Sequence, residues 1–199
     1  MHNHFYAMLS RMKYIYRWGL MRNTRGENLS EHSLEVAFVA HALAVIGNKR
    51  LNKSYDPYYA AAAAMFHDTS EIITGDMPTP IKYYNPDIKN AYKDIERAAE
   101  DRLLDMLPDD IRSEYIPLYR PDDETERLVK AADKISALIK CIEETGMGNR
   151  EFAVALDSTK KSIEDMRLPE ADIFLNEFAK SYSLSLDEQN INPVKEEKI

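Results

Sequence analysis

The sequence predicts a single all-α domain, because helical periodicity dominates it and strand signals are nearly absent. Apolar residues recur at steps of three and four along most of the 199 residues, which is the spacing of one helix face. Only six glycines occur, and no Asn-Gly or Asp-Gly pair separates alternating apolar runs as in a β-hairpin. This length can bury the core of one large domain or of two small ones. We find no internal repeat and no linker that would divide the chain.

Composition and charge exclude several classes of protein. The formal charge is −8, which argues against broad binding to nucleic-acid polymers or membranes, since both are polyanions. Hydrophobic residues make up 44% of the chain and exclude intrinsic disorder. The one cysteine, Cys141, excludes an internal disulfide and fits a reducing compartment. Neither a signal peptide nor an uncharged apolar run of about 20 residues is found, so we expect a cytoplasmic protein.

The first predicted helix is amphipathic and runs from Phe5 to Trp18. Its apolar residues are spaced by three and four positions, as on one face of a helix. Gly19 is expected to end it, and a polar loop follows over residues 21–27.

The second predicted helix begins at either Asn28 or Ser30. Asn28 has Glu31 three residues later, which is the arrangement of a capping box. The body of the helix, residues 34–46, is apolar on nearly every face and should therefore lie at the centre of the fold. Gly47 is expected to end it.

The third predicted helix has Asp56 as its N-cap and Pro57 as its first residue. It runs to Phe66 and is broken by Gly75, with prolines following. Further helical stretches are predicted over 86–107, in a short segment from Pro108, and over 121–146, 150–166 and 169–182. We assign residues 1–186 to the one domain and residues 187–199 to a polar, flexible C-terminal tail.

The most informative feature is a set of side chains of metal-ligand type on three predicted helices. His32 lies at the start of the second helix, His67 and Asp68 lie near the end of the third, and Asp133 lies within the fifth. A carboxylate among apolar neighbours is costly to bury unless it is paired, hydrogen-bonded or bound to a cation. Two imidazoles and two carboxylates suit a borderline divalent cation such as Mn, Co, Zn, Fe or Ni.

Each of these residues also has a structural explanation when taken alone. A histidine on an apolar helix is most often a core residue with one satisfied nitrogen, which is our interpretation of His41. Asp133 could be a buried partner of Lys130 or Lys134, and the pair at 67 and 68 could belong to a helix-end turn. Only the set as a whole indicates a metal site.

In order and setting, this set resembles the HD-domain superfamily of metal-dependent phosphohydrolases. The dipeptide His67-Asp68 alone is a weak signal, whereas residues 65–80 (MFHDTSEIITGDMPTP) are far more specific. Other matching segments are 17–18, 20–23, 31–33, 39–43 and 183–188. Together they look like the bacterial 5′-deoxynucleotidase branch, which removes the 5′-phosphate from deoxyribonucleoside monophosphates. The resemblance implies an HD-domain-like helical bundle.

The resemblance also implies a catalytic set. The metal ligands would be His32, His67, Asp68 and Asp133. Glu71 lies four residues after His67, so a continuing helix would place it one turn away on the same face. There it would orient or deprotonate the attacking water, alone or with Asp76. Arg17 would hold the phosphate as a bidentate cation. The alternatives are a solvated carboxylate for Glu71 and a solvated surface cation for Arg17.

Trp18, the only tryptophan, would distinguish deoxyribose from ribose, because an indole against the sugar leaves no room for a 2′-hydroxyl. The alternative for this residue is an aromatic at the edge of the core, and the alternative for residues 76–79 is an ordinary proline-rich turn. The implied substrate-binding residues are Arg17, Trp18, His32, Asp68, Asp76, Met77, Pro78, Thr79 and Asp133.

The resulting hypothesis is a divalent-metal-dependent 5′-nucleotidase that acts by direct attack of metal-activated water. The cofactor would be one divalent ion, Co, Mn, Zn or similar, and the chain would form a homodimer. Other candidates are an HD phosphohydrolase acting on a cyclic nucleotide or a triphosphate, and a non-catalytic nucleotide-sensing protein. No glycine-rich phosphate loop is present, which argues against an NTP-driven kinase or ATPase.

Overall fold

A computed structural model describes residues 3–82 and 84–189, and these ranges are helical. The α-helices are α1 Phe5–Leu9, α2 Leu29–Arg50, α3 Pro57–Phe66, α4 Glu71–Thr74, α5 Thr79–Lys82, α6 Pro86–Leu104, α7 Asp109–Tyr119, α8 Asp123–Gly146, α9 Ala153–Glu164 and α10 Pro169–Glu177. Single 3₁₀ turns cover Ser10–Tyr14, Arg150–Phe152 and Ala179–Ser183. Over the described ranges no strand forms, apart from one antiparallel bridge between Tyr16 and Asn28. The predicted all-α, single-domain class is confirmed.

The first helix is shorter than predicted. It ends with the 3₁₀ turn at Tyr14, so the prediction that it reaches Trp18 was wrong. Beyond that turn the backbone pairs with the segment that enters α2: the Arg17 amide donates to the Glu27 carbonyl at 3.0 Å, and the Leu29 amide donates to the Ile15 carbonyl at 2.9 Å. These bonds across the loop replace the helical ones.

Helix α2 begins as predicted but ends later. The Asn28 side chain accepts from the amides of Ser30 and Glu31, and the Glu31 carboxylate accepts from the Asn28 amide, so the capping box is confirmed. Gly47 does not end the helix, which continues to Arg50. Glycine is required there by close packing, because a Cβ at that position would lie 2.5 Å from the Tyr55 ring.

Helix α2 is the centre of the fold. It packs against α3, α8 and α10, and its inner face contributes to a core that includes Val36, Leu43, Leu128, Ile135 and Ile139. By length and composition α2 could cross a membrane, but 56% of its most apolar stretch is buried within the protein. The core helix of a helical bundle has this same composition.

Helix α3 has the predicted N-cap and ends at Phe66, after which the chain turns through residues 67–70. The short helices α4 and α5 were not predicted, although the break at Gly75 was; its φ is +74°, a left-handed conformation that glycine adopts without strain. A second apolar cluster joins α1, α6 and α7, and the Phe66 ring lies against Tyr115 and Tyr119 at 5.6 Å. This cluster fixes the position from which the turn starts.

The last elements follow the predicted order. Asp122 caps α8, and Gly146 is its last residue, as the sequence indicates. Helix α6 ends at Leu104, before the predicted 107, and the stretches 150–166 and 169–182 each divide into an α-helix and a 3₁₀ turn. Of the predicted tail, residues 190–199 lie outside the described residues, and the turn that precedes them is held by bonds between Ser185 and Glu188.

Candidate active site

Two helices and one turn bring the four candidate ligands together. His32 lies in the first turn of α2, His67 and Asp68 lie in the turn after α3, and Asp133 lies in the middle of α8. One ligand atom from each of the four lies within 4.8 Å of the others. His32 is fully buried, whereas the Asp133 side chain is 38% exposed, so the cluster is open on the α8 side.

The nitrogen and oxygen atoms that could bind a cation lie close to one another. The distance from His32 Nε2 to Asp133 Oδ1 is 3.1 Å, and that from His67 Nε2 to Asp68 Oδ2 is also 3.1 Å. Both Nε2 atoms are buried. Despite these short distances, neither is in hydrogen-bonding geometry with any of the described residues. Two buried nitrogens without partners beside two carboxylates form a donor set that fits one borderline divalent cation.

The outer nitrogen of each imidazole is held by a second group. His67 Nδ1 lies 2.7 Å from the Ala64 carbonyl, to which it donates, so the lone pair of Nε2 faces the cluster. His32 Nδ1 lies 3.1 Å from Ser136 Oγ, whose hydroxyl donates to the Glu35 carboxylate. Such outer contacts orient metal-binding imidazoles.

Arg17 approaches the same imidazole from the loop before α2. Its Nη1 lies 2.7 Å from His32 Nδ1, and its Nη2 lies 3.6 Å from Asp133 Oδ1. A guanidinium can only donate, so this contact is a hydrogen bond only while Nδ1 carries no proton. Nδ1 carries a proton both in the charged imidazole and when Nε2 binds a cation, and that proton is then directed at Ser136. In either state Arg17 has to move away from Nδ1.

The electrostatics of the cluster favour a positive charge. Burial opposes ionisation of Asp133, but the neighbouring histidines outweigh it and hold the pKa of Asp133 at about 2. The pKa of Asp68 is likewise held well below its usual range, by His67 and His32 against the effect of burial. Burial and Arg17 lower the pKa of His32, but the two aspartates outweigh them and raise it to about 10. A bound cation would take the place of that imidazole proton.

Glu71 is a buried carboxyl next to this cluster. Burial, followed by the negative charges of Asp68 and Asp76, raises its pKa to about 9. Its Oε2 is buried and has no hydrogen-bond partner in the described structure. The helix does not continue from His67 to Glu71, as that placement of Glu71 assumed, because the turn at 67–70 intervenes and Glu71 begins α4. The turn still keeps it close, since the Glu71 amide donates to the Asp68 carbonyl at 3.0 Å.

The loop between α4 and α5 carries the remaining predicted residues. Asp76, Met77 and Pro78 are half-buried, and the Thr79 side chain lies outside the described part of the structure. Burial raises the pKa of Asp76, although Arg17 and a bond from the Trp18 amide oppose the effect. This bond joins the loop to the segment that carries Arg17.

That segment, residues 17–27, is called the recognition loop below. Trp18 has a φ of +60°, its ring lies 5.3 Å from that of Phe152, and its Nε1 donates to Glu27 Oε2 at 2.9 Å. Glu27 Oε1 accepts from Arg17 Nη1 at 3.3 Å. Glu27 was not predicted, since no helical spacing in the sequence relates it to Arg17; the two are brought together by the backbone pairing at the base of the loop.

The tip of the recognition loop is hydrogen-bonded to a second carboxylate, on α8, that was not predicted from the sequence. Glu144 is fully buried and accepts from the amides of Thr24 and Arg25, at 2.9 and 3.2 Å, and from Asn149 Nδ2 at 2.7 Å. Lys140, one turn earlier on α8, donates to the same carboxylate and to the Arg25 carbonyl. An apolar helix face in the sequence gave no signal of these contacts.

The structure therefore brings Arg17, Trp18, His32, His67, Asp68, Glu71, Asp76 and Asp133 to one place. Three of them, His32, Glu71 and Asp133, lie on helices, and the other five lie on loops or turns. Chemically, the arrangement combines a donor set for a divalent cation, a guanidinium, and a buried carboxyl that can exchange a proton. Such a combination suits hydrolysis of a phosphate ester.

Known proteins resemble this chain both in sequence and in fold. The family model described as 5′-deoxynucleotidase YfbR-like matches residues 4–182. A 5′-deoxynucleotidase of Vibrio atlanticus is 51% identical over 189 residues, covering 94% of this chain and 97% of that protein. One from Yersinia pestis is 48% identical over 193 residues, covering 96% of this chain and 98% of that protein.

Solved structures share the fold at lower identity. An HD-domain phosphohydrolase from Listeria innocua superimposes with a TM-score of 0.78 at 20% identity, covering 89% of this chain and 87% of that one. A second structure is a cyanophage S-2L HD phosphohydrolase that is described as bound to dA and one catalytic Zn²⁺ ion. It superimposes with a TM-score of 0.64 at 19% identity, and the match covers 88% of this chain and 96% of that chain.

Proposed function

The chain belongs to the family of YfbR-like 5′-deoxynucleotidases, and on that premise we propose which residues hydrolyse a deoxyribonucleoside 5′-monophosphate to the deoxyribonucleoside and phosphate. It is a phosphoric monoester hydrolase. The observation that carries the assignment of the site is the pair of buried Nε2 atoms that face two carboxylates beside a guanidinium.

The cluster of His32, His67, Asp68 and Asp133 would hold one divalent cation. When bound, that cation would act as a Lewis acid, which lowers the pKa of a water molecule and neutralises charge on the phosphoryl group. Histidine and carboxylate ligands suit Co, Mn or Zn, and the open side next to Asp133 leaves room for substrate.

Arg17 would bind the phosphate. Its guanidinium lies between Glu27 and Asp133, and it has to leave His32 Nδ1 once Nε2 is used as a ligand. The surrounding carboxylates would otherwise repel a phosphate dianion. A planar guanidinium can hold two phosphate oxygens at once, which orients the ester as well as neutralising it.

Glu71 would handle the proton of the attacking water, alone or with Asp76. A buried carboxyl whose pKa is raised holds a proton at neutral pH. The positive charge of a cation in the cluster would lower that pKa and allow the carboxylate to accept a proton. A water nucleophile requires no covalent intermediate on the protein. The one cysteine, Cys141, is fully buried in the core and is not available for one.

Trp18 would exclude a 2′-hydroxyl from the sugar site. Its indole is fixed on one side by Phe152 and at Nε1 by Glu27, so it cannot retreat from an added oxygen. The loop of Asp76, Met77, Pro78 and Thr79 would form the opposite wall. A misplacement of about one ångström in the reacting group costs on the order of a hundredfold in rate.

Phosphate release from deoxy- and ribonucleoside 5′-monophosphates, with cyclic and triphosphate analogues in the same panel, tests this function. The wild type is expected to favour the deoxyribonucleoside monophosphates with little dependence on the base. Trp18→Ala should narrow the preference mainly by admitting ribonucleotides, whereas Tyr14→Ala, which removes an exposed aromatic, should not. Equal kcat/KM of the wild type for both sugars, or full discrimination by the Trp18 variant, would overturn the assignment.

We also propose that the chain forms a homodimer through an exposed apolar ridge, defined as Leu34, Phe38, Tyr58 and Met65. These side chains are between 46% and 80% exposed, and the His41 ring at 5.7 Å from Tyr58 connects the part on α2 with that on α3. His41 is half-buried in this ridge rather than in the core, contrary to our interpretation of it. Several exposed large apolar side chains on two packed helices typically mark an interface, and a second copy presents the same face.

Sedimentation velocity tests the dimer. Phe38→Glu places a charge in the ridge and should give a monomer, whereas Val154→Glu changes a more exposed apolar residue on α9 and should leave the dimer intact. A monomeric wild type, or a dimer that tolerates Phe38→Glu, would contradict this proposal.

A further inference from the structure

Glu27 contacts three of the residues assigned to the site, although it is neither a metal ligand nor a residue placed against substrate. Its Oε2 accepts from Trp18 Nε1 at 2.9 Å. Its Oε1 accepts from Arg17 Nη1 at 3.3 Å and lies 3.5 Å from His32 Nδ1. One carboxylate thus connects the group proposed to face the sugar with the group proposed to hold the phosphate.

The backbone of the recognition loop holds this carboxylate in place. At the base, the Arg17 amide donates to the Glu27 carbonyl at 3.0 Å, and the bridge between Tyr16 and Asn28 continues the pairing. At the tip, Glu144 accepts the amides of two loop residues. The Glu27 side chain is only 12% exposed, so it has little freedom to take another position.

We propose that Glu27 is the positioning residue that sets sugar discrimination, by fixing the distance between the Trp18 indole and the Arg17 guanidinium. This rests on the proposed function, in which Arg17 holds the phosphate and Trp18 excludes the 2′-hydroxyl. In a nucleoside 5′-phosphate the short C5′–O5′ link confines the 2′-carbon to a limited range of distances from the phosphorus. Discrimination therefore depends on the separation of the two protein groups as well as on the indole itself.

Glu27→Gln tests the inference with almost no change in volume. A carboxylate accepts with both oxygens, whereas an amide has one acceptor and one donor. Glutamine can therefore satisfy either Trp18 or Arg17, and its NH₂ group must face the donor of the other. Loss of one charge-assisted hydrogen bond of this kind corresponds to about tenfold. We expect the ratio of kcat/KM for dAMP to that for AMP to fall by about that factor.

The matched control is Glu151→Gln. Glu151 also pairs with an arginine of the recognition loop, Arg22, but it contacts none of the side chains assigned to the site. We expect this variant to retain the wild-type ratio of deoxyribo to ribo activity. A loss of discrimination in both variants would mean that any disturbance of the loop has the same effect, and would overturn the specific role of Glu27.

A second readout does not depend on turnover. Trp18 is the only tryptophan, so intrinsic fluorescence reports on its surroundings alone. Glu27→Gln should make the indole more accessible to acrylamide in the metal-free protein, while Glu151→Gln should not. Unchanged quenching together with unchanged discrimination would reject the inference, and a normal far-UV circular dichroism spectrum excludes unfolding as the cause.

A double-mutant cycle with Trp18→Phe identifies the route. Phenylalanine keeps a ring beside Phe152 but lacks the Nε1 donor. If Glu27 acts on the sugar through the indole, Glu27→Gln should not lower the discrimination of the Trp18→Phe protein any further, although it should still raise KM through Arg17. An undiminished effect of Glu27→Gln on discrimination in that background would refute the route.

The two proposals fail differently. If the wild type does not prefer deoxyribonucleotides, the proposal that Trp18 excludes the 2′-hydroxyl is wrong. If the wild type prefers them and Trp18→Ala loses the preference, but Glu27→Gln retains it fully, then only the role of Glu27 is wrong.

Discussion

The ligand cluster and the recognition loop lie side by side but are built in different ways. His32 and Asp133 are placed by α2 and α8, whose apolar faces pack in the core. Arg17, Trp18 and Glu27 lie on irregular backbone that is held by individual hydrogen bonds to a buried carboxylate. The cluster thus depends on packing of the whole domain, and the loop depends on a few polar contacts.

This difference separates two parts of the function. A change in a ligand should remove the cation and the chemistry together, whereas a change in the anchors of the loop should leave the cation bound and alter how substrate is held. Loops supported by few contacts also open more readily than helices packed in a core. The predictions below test this separation.

The largest effect is expected for Asp68→Asn. It removes a charge that holds the cation, so both the metal content and kcat should fall, the latter by on the order of a thousandfold. Elemental analysis and phosphate release measure the two quantities. Asp157→Asn, on the exposed face of α9, is the control. Full activity in protein shown to be free of metal would contradict the role of the cluster.

A smaller effect is expected for Glu71→Ala, which should lower kcat by about a hundredfold while the metal content stays normal. Glu71→Gln keeps the shape of the side chain but cannot accept a proton, so it should be as slow as the alanine variant. If the glutamine variant retained wild-type kcat, proton handling would have to be assigned to Asp76.

The loop should respond differently. Glu144→Gln weakens the anchor that binds the amides of Thr24 and Arg25 and leaves Lys140 without its charged partner. We expect a loss of about 2 kcal/mol in stability. We also expect kcat/KM for deoxyribonucleotides to fall about tenfold with unchanged metal content. A lower metal content in this variant would show that the loop and the cluster are not separable.

The smallest effect on catalysis is expected from the last prediction, which concerns the dependence of stability on pH in the cation-free protein. Glu71 keeps its proton in the folded state up to about pH 9, and His32 keeps its proton up to about pH 10. In the unfolded chain these groups release protons at lower pH, so the folded state binds more protons between pH 6 and 9, and the free energy of unfolding falls as the pH rises.

Thermal unfolding after exhaustive chelation measures this dependence. Because the two raised pKa values correspond to several kcal/mol over this range, the Tm should decrease by on the order of ten degrees from about pH 6 to pH 9, and Glu71→Gln should make the decrease smaller. A Tm that rises over this range would contradict the raised pKa values.

The sequence was sufficient where local patterns decide the structure. The capping box at Asn28, the cap at Asp56, and the four residues of the cluster follow from spacing and from the resemblance. The predicted helix from Phe5 to Trp18 was wrong because backbone bonds to residues 27–29 compete with the helix, and such bonds leave no periodic signal.

Contacts between distant segments were the part that could not be predicted. Ser136, Glu27 and Glu144 act through partners more than eight positions away, on the other side of a turn or on another helix. Gly47 was interpreted as a helix end because glycine is common there, whereas the ring of Tyr55 is what requires it.

Trp18 also has a consequence for how the protein can change over generations. A non-glycine residue with a φ of +60° costs about 1–2 kcal/mol in backbone free energy. Glycine would remove this strain, but it would also remove the ring beside Phe152 and the Nε1 donor that Glu27 accepts, and losing those contacts costs more than the strain. Other side chains would keep the strain and lose the same contacts. Position 18 therefore has few replacements that leave the stability of the protein unchanged.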